Sequence, residues 1–448
     1  MRADAPLRAS AAAVLRSRRV RLRFSVVLAV KIGLSTGMQL PPSGRPADQI
    51  LRELDALQDG DVDWQSGRAF SLAYHAGADV LALATEALGR FQSTNALNAA
   101  AFPSLRRMQS DVVGMVAGLL HGGAEAAGFM TSGGTESLLL AVKAARTRGR
   151  ARGITAPQMV LPTSAHAAFE KGAEYFGVQS VRVPVRDDFT ADPGAMADAI
   201  TADTVLLVAS APSYPQGVID PVAEIAALAQ ARDISCHVDA CMGGITLPML
   251  ERLGHSLPGF DFRVPGVTSM SVDLHKYGYT AKGASVIVHR NKALRKHQTF
   301  STDNWSGGMY ASSGLLGTKS GGPIAAAWAV MQYLGEEGYA RLTAAAREAT
   351  EALIGGLRST PGVRVLGAPA ATLVAFAFDD ADAFAVGNAL ARRGWVVDQQ
   401  QPPPSLHCTV NAVHAPVIAE FVSDVRAALA EVRGAPRQGE QTAYGVLE

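Results

Sequence analysis

A chain of 448 residues exceeds what one ordinary core needs, so more than one domain and a large buried sheet are expected. Apolar residues make up 48% and charged residues 18%, with a formal net charge of +1, which excludes a disordered chain and leaves no footprint for nucleic acid or an acidic partner. The three cysteines, Cys236, Cys241 and Cys408, lack CxxC spacing, which argues against a zinc site or a disulfide framework and fits a reducing, cytoplasmic compartment.

The chain opens with an arginine-rich stretch, Arg2 to Arg23, followed by an apolar run from Phe24 to Val30 that Lys31 ends. A bilayer span needs about 20 apolar residues, so this run is too short to cross one. The expectation is a disordered basic extension over 1–45, or an upstream start with Met38 as the true beginning; a signal peptide or peripheral membrane contact is the alternative. Ala47, Ile50, Leu51, Leu54 and Leu57 then recur at helical spacing. After an aromatic loop from Trp64 to Gly77 the pattern predicts a helix over Asp79–Phe91, an irregular stretch over 92–103 and an amphipathic helix over Leu105–Leu120.

The first chemical signal is Thr131-Ser-Gly-Gly-Thr-Glu-Ser137, running into a helix from Leu138. Its glycines let backbone approach a ligand, and free N–H groups at a helix start bind anions; a plain turn capped by Thr135 reads equally from this motif alone. From there strands and helices alternate: strands at 159–161, 181–185, 204–209 and 235–238, helices at 166–176, 193–200 and 221–231. That alternation predicts an α/β fold with a mostly parallel central sheet flanked by helices, whose ligands bind beyond the strands' carboxyl ends. Ser132, His166, Ser210, Asp239 and Lys276 all fall at or just past predicted strand ends.

Lys276 stands between two apolar runs, Val267 to Val272 and Ala284 to Val288, both predicted strands. A lysine at the mouth of core strands is costly to desolvate unless its charge is removed or used, which marks it for Schiff-base chemistry; a snorkelling lysine on a turn is the bland alternative. Asp239, at the end of its own strand, needs a cationic or donor partner, since burying a carboxylate unpaired costs several kcal/mol. A turn or helix-cap aspartate is the bland reading there.

Six stretches in order carry a family resemblance. Thr131–Ser137, His166-Ala-Ala-Phe-Glu-Lys171, Ser210-Ala-Pro-Ser-Tyr-Pro-Gln-Gly217, His237-Val-Asp-Ala240, Asp273-Leu-His-Lys-Tyr-Gly-Tyr279 and Trp305-Ser-Gly-Gly-Met-Tyr-Ala311 resemble the pyridoxal-phosphate enzymes of the group II decarboxylase superfamily, and within it the sphingosine-1-phosphate lyases. The resemblance runs from about Trp64 to the C-terminus. It implies a fold type I pyridoxal-phosphate enzyme with 46–110 contributing to the site and dimer, a large cofactor-binding domain over 111–325 and a small C-terminal α+β domain over 326–448. It implies that Lys276 bonds covalently to pyridoxal 5'-phosphate, that Asp239 pairs with the ring nitrogen and that His166 stacks on the ring. Gly133, Gly134, Thr135, Ser210 and His275 would complete the cofactor site. Gly317 and Thr318 would reach it from the neighbouring subunit of a homodimer with active sites at the interface.

Tyr74, Asn98, Lys282 and Lys319 match positions near the substrate, and Tyr74 joins Lys276, Asp239 and His166 as a catalytic candidate. The chain departs from the family pattern at Ala96-Leu-Asn-Ala99, where a histidine is expected, at Ser71-Leu72, where Ser-Gly is expected, and at Gly317-Thr-Lys319, where Gly-Ser-Arg is expected. A lysine does not reproduce the forked grip of an arginine. The implied reaction is carbon–carbon cleavage of a phosphorylated long-chain amino alcohol to an aldehyde and phosphoethanolamine; the alternative is decarboxylation of an acidic or aromatic amino acid. His407 and His414, in and after a predicted late strand at 406–410, read as structural, as lone strand histidines usually are.

Overall fold

The computed structural model describes residues 39–98 and 100–434; residues 1–38 of the extension expected over 1–45, Ala99 and the tail 435–448 lie outside the described residues. The chain divides into a short unit ending at Asp59 and a large unit beginning at Gly60. In the first, residues 39–46 have no regular structure and the helix Ala47–Leu57 forms as its periodicity predicts.

The large unit is built on seven strands: β1 (Ala127–Thr131), β2 (Gln158–Pro162), β3 (Gln179–Val183), β4 (Thr204–Ser210), β5 (Ser235–Asp239), β6 (Ser269–Val272) and β7 (Ser285–His289). A strand covered on both faces must be apolar along its whole length, and every residue of β2, β4 and β5 is buried. The order is β1-β7-β6-β5-β4-β2-β3. The pairs from β3 through β6 are parallel, as the alternation predicts.

The β7 strand departs from that pattern, running antiparallel to both β6 and β1. A parallel return needs a crossover, usually a helix, whereas residues 273–284 turn back directly. Those residues include Lys276. The β1 strand, which periodicity did not predict, exists because β7 offers it a partner edge.

A hairpin of β8 (Phe300–Thr302) and β9 (Tyr310–Ser312) follows. The helix Gly322–Arg358 is broken at Gly335, whose φ of 55° lies in the left-handed region that only glycine adopts readily. Its first half supplies Ile324, Ala327 and Val330 to the core under the large sheet, and its second half supplies Leu353 and Leu357 to another. That second core lies against β10 (Val363–Leu366), β11 (Leu373–Phe378), β12 (Asp398–Gln400) and β13 (Ser405–Thr409), an antiparallel sheet in the order β10-β11-β13-β12. Phe70 is part of this second core, so the segment ahead of the large sheet is packed into the C-terminal one.

Candidate active site

Parallel strands in register bring their carboxyl ends level. Ser210 of β4 sits beside Asp239 of β5, which sits beside Ser271 of β6. The turn after β6 then lifts Lys276 over this edge, into a cavity of about 370 Å³ that Asp239, His166 and Ser210 also line. The lysine and the aspartate face one space.

The Lys276 side chain is only 15% exposed, and its Nζ lies 3.0 Å from Asp273 Oδ2. Burial pulls the amine's pKa down, and the buried Asp273 carboxylate more than offsets this, so Lys276 is held above its ordinary range. Asp273 is in turn held below the usual carboxylate range: burial opposes its charge, and Lys276 and His275 outweigh burial. Its Oδ1 is buried without a hydrogen-bond partner. A Cβ on Gly134 would stand 2.6 Å from Asp273 Oδ2, so the second glycine of the motif makes room for this carboxylate.

Asp239 accepts from the N–H of Cys241 at 3.0 Å and the Ser271 hydroxyl at 3.3 Å. His166 accepts the Ala168 N–H on Nδ1 at 3.0 Å, which leaves the proton on Nε2. Burial depresses its pKa, Asp239 opposing, so the ring is neutral and flat-faced at neutral pH. His275 likewise accepts the Ala284 N–H on Nδ1 at 3.2 Å, and burial lowers its pKa.

The helix Gly134–Arg150 has no side-chain cap, and Gly133, Gly134 and Thr135 at its start line the same cavity. Its first-turn N–H groups therefore offer a phosphate site. Glu136 fixes this loop: Oε2 accepts the N–H and hydroxyl of Ser132, both at 2.7 Å, and Oε1 accepts the N–H of Leu315 at 2.8 Å.

Tyr74 and Lys282 stand at one side, lining a neighbouring, mostly apolar cavity of about 460 Å³ that shares His275. Tyr74 meets Met242 Sδ through its hydroxyl at 3.8 Å and the Tyr277 ring edge-to-face at 5.2 Å. Lys282 Nζ lies 4.9 Å from the Tyr74 ring centre and donates to the carbonyls of His275 and Leu72. Burial, helped by Lys276, brings its pKa down to about 8.

Other expected residues are not brought to this cavity. Asn98 is exposed and accepts the Ala101 N–H. Gly317 and Thr318 are exposed. Lys319 turns inward, donating to the Met130 carbonyl at 2.8 Å over the Phe129 ring. His414 is structural, with Nε2 3.0 Å from the Ala69 carbonyl oxygen and its ring stacked on Phe70. Asp273, Glu136 and Tyr214 also bound the cavity, although their motifs alone assign them no role. For Asp273 the signal was its spacing, three residues before the lysine.

A primary amine, a facing carboxylate, a neutral imidazole and an uncapped helix start around one cavity are the donor set pyridoxal phosphate requires, so the residues fit that group. The class they define is that of the fold type I pyridoxal-phosphate enzymes, and known proteins agree. Residues 36–379 match the pyridoxal-dependent decarboxylase conserved domain. The chain is 40% identical to sphingosine-1-phosphate lyase of Oryza sativa subsp. japonica over 89% of this chain and 75% of that protein, and 39% identical to sphingosine-1-phosphate lyase 1 of Rattus norvegicus over 91% and 73%. Its fold superposes on the Burkholderia pseudomallei sphingosine-1-phosphate lyase with a TM-score of 0.85 at 40% identity, covering 89% of this chain and 93% of that one. The chain belongs to the pyridoxal-dependent decarboxylase family and is a pyridoxal-phosphate-dependent lyase. Among the described residues no helix is long and apolar enough to cross a membrane.

Proposed function

We propose that this protein cleaves the carbon–carbon bond of a phosphorylated long-chain 2-amino alcohol of the sphingosine 1-phosphate kind, releasing a long-chain aldehyde and phosphoethanolamine. The observation that carries the reading is that Lys276 and Asp239 line one cavity, with Tyr74 and Lys282 at its side. Relatives that match most of this chain carry the same activity in their names.

In this reading Lys276 would hold the cofactor covalently and Asp239 would pair with its ring nitrogen. The neutral ring of His166 would support the cofactor ring, and the start of the helix Gly134–Arg150 would hold its phosphate. When bound, pyridoxal phosphate supplies an electron sink for the pair left on the amine-bearing carbon. The protein must then take a proton from the neighbouring hydroxyl and return one to that carbon. Lys282, at about 8, is poised to hold or give up a proton near neutral pH, and an arriving phosphate dianion would raise its pKa and hold it charged. The Tyr74 phenol is the second group placed for proton movement.

The reading includes a homodimer with active sites at the interface. Its support is that Gly317 and Thr318 lie on a segment with several exposed large apolar side chains, among them Trp305, Met309, Leu315 and Leu316, a surface suited to a second copy.

Incubation of the holoenzyme with sphingosine 1-phosphate and a panel of amino acids, with products identified by mass spectrometry, tests this. Aldehyde and phosphoethanolamine are expected; an amine and carbon dioxide would make the protein a decarboxylase instead. Lys276→Ala is expected to abolish cofactor that borohydride fixes to the chain, and retention of that bond would overturn the assignment of the lysine.

A further inference from the structure

One buried polar cluster joins the C-terminal sheet to the wall of the cavity. Tyr214, on the loop after β4, lines the cavity, and its hydroxyl donates to Asp398 Oδ2. Asp398 opens β12, and its other oxygen accepts the Ser71 hydroxyl at 2.5 Å, three residues before Tyr74. His407, the cross-strand neighbour of Asp398 on β13, is fully buried, with its ring centre 4.3 Å from that of Tyr214. His407 Nδ1 lies 3.7 Å from Asp398 Oδ2, too long for a hydrogen bond. Neither His407 ring nitrogen has a hydrogen-bond partner.

One carboxylate thus ties together the segment leading to Tyr74, the loop carrying Tyr214 and the C-terminal sheet. Burial works against its charge, and His407, Ser71 and Tyr214 outweigh burial, so the carboxyl is held below its usual range. Apolar side chains would seal such a seam at lower cost, because a largely buried carboxylate and a buried imidazole bring a desolvation penalty that packing alone does not. What apolar packing does not provide is direction. A carboxylate with two lone-pair-bearing oxygens fixes both a phenol and a hydroxyl at set angles.

We infer that Asp398 is a positioning residue of the active site, acting through the Tyr214 hydroxyl to fix the wall against which the reacting atoms lie. His407 backs the carboxylate, and Ser71 passes the same constraint to the segment of Tyr74. The inference rests on the reading of the cavity as the site of the lyase reaction.

A double-mutant cycle of Asp398→Asn and Tyr214→Phe, on the full-length holoenzyme, tests it. Asp398→Asn is expected to lower kcat about tenfold while KM stays within about twofold, because a displaced wall disturbs the reacting geometry more than it disturbs binding. In the Tyr214→Phe background the same substitution is expected to change kcat less than about twofold, since the group it acts through is gone. An equal fall in both backgrounds, or no fall in either, would overturn the inference.

If Asp398→Asn does not fold, Ser71→Ala, which loosens the same carboxylate without removing its charge, is expected to give a smaller fall that again needs the Tyr214 hydroxyl; a fall indifferent to that hydroxyl overturns it equally. The affinity of cofactor-depleted protein for pyridoxal phosphate, read from the absorbance of the bound group, supplies the same cycle without substrate. Absence of aldehyde from the unmutated enzyme would sink the proposed reaction, whereas additive effects on cofactor affinity would sink the role of Asp398.

Discussion

Lys276 must be a neutral amine before it can attack an aldehyde, and Asp273 at 3.0 Å opposes that by holding it as an ammonium. The buried carboxylate outweighs the burial that would otherwise discharge the amine. Asp273→Asn removes the counter-charge and keeps the shape. Each unit by which the pKa of Lys276 falls raises its neutral fraction about tenfold, so the cofactor-depleted variant is expected to capture pyridoxal phosphate faster at neutral pH, with its rate profile moved to lower pH. Stopped-flow absorbance against pH checks this, and a profile identical to the parent's would show that another group sets the charge.

The same variant is expected to lose about 3 kcal/mol of stability without cofactor, because breaking a buried pair strands its remaining charge. Lys276 was legible in the sequence because two apolar runs flank it. Its partner was not: whether Asp273 is buried, and that Gly134 leaves room for it, depends on a helix start that lies far away in the chain.

At the next scale, the helix Gly134–Arg150 is where two loops are locked together. Gly133 caps it without a side chain, so Glu136 stands at the third helical position, where a capping-box glutamate would reach back to the cap residue. It reaches one residue further, to Ser132, and its other oxygen crosses to Leu315. Glu136→Ala would leave the Ser132 and Leu315 N–H groups without this acceptor; both residues are exposed, so water replaces it in part and the cost is about 1 kcal/mol for each bond lost. Lower thermal stability and weaker retention of pyridoxal phosphate on dialysis are expected together, with Glu136→Gln recovering part of both because its amide oxygen still accepts. A variant that lost stability yet retained cofactor as the parent does would separate Glu136 from the phosphate loop.

Elements of this kind divide by how local their cause is. The strands from β2 through β5 and their intervening helices were readable from the strand–helix alternation, helped in β2 and β4 by an apolar run that burial on both faces demands. The direction of β7 and the existence of β1 were not, since each is decided by a partner edge and not by its own periodicity. Lys319 shows the same limit: nothing local in its motif tells that its amine packs over Phe129 and donates to the Met130 carbonyl.

Across the whole molecule, acid stability is set by histidines that the fold keeps uncharged. Burial brings His237 and His289 each down to about 4 from an ordinary 6.5. Unfolded, these rings bind protons below 6.5; folded, they do not until about 4. Their contribution is therefore complete above pH 6.5 and is lost as pH falls to 4, roughly 3 kcal/mol for each ring. Burial also lowers His166, His275 and His414, which add to the loss with the same sign.

Asp220 opposes them. Burial raises it to about 6, against two backbone N–H donors, so the folded chain binds its proton first and gains stability as pH falls from 6 to 3.8. Asp273 and Asp398, both held below 3.8, act only beneath this window. Among the described residues the lowered histidines outnumber the raised Asp220, so stability of the cofactor-depleted chain is expected to fall between pH 6.5 and 4, by about 1.4 kcal/mol per pH unit for each net proton taken up on unfolding. Urea denaturation at pH 7, 6 and 5 measures that slope. His237→Asn is expected to flatten it by one proton, and a parent whose midpoint held level or rose toward pH 5 would mean that these rings are already charged in the fold.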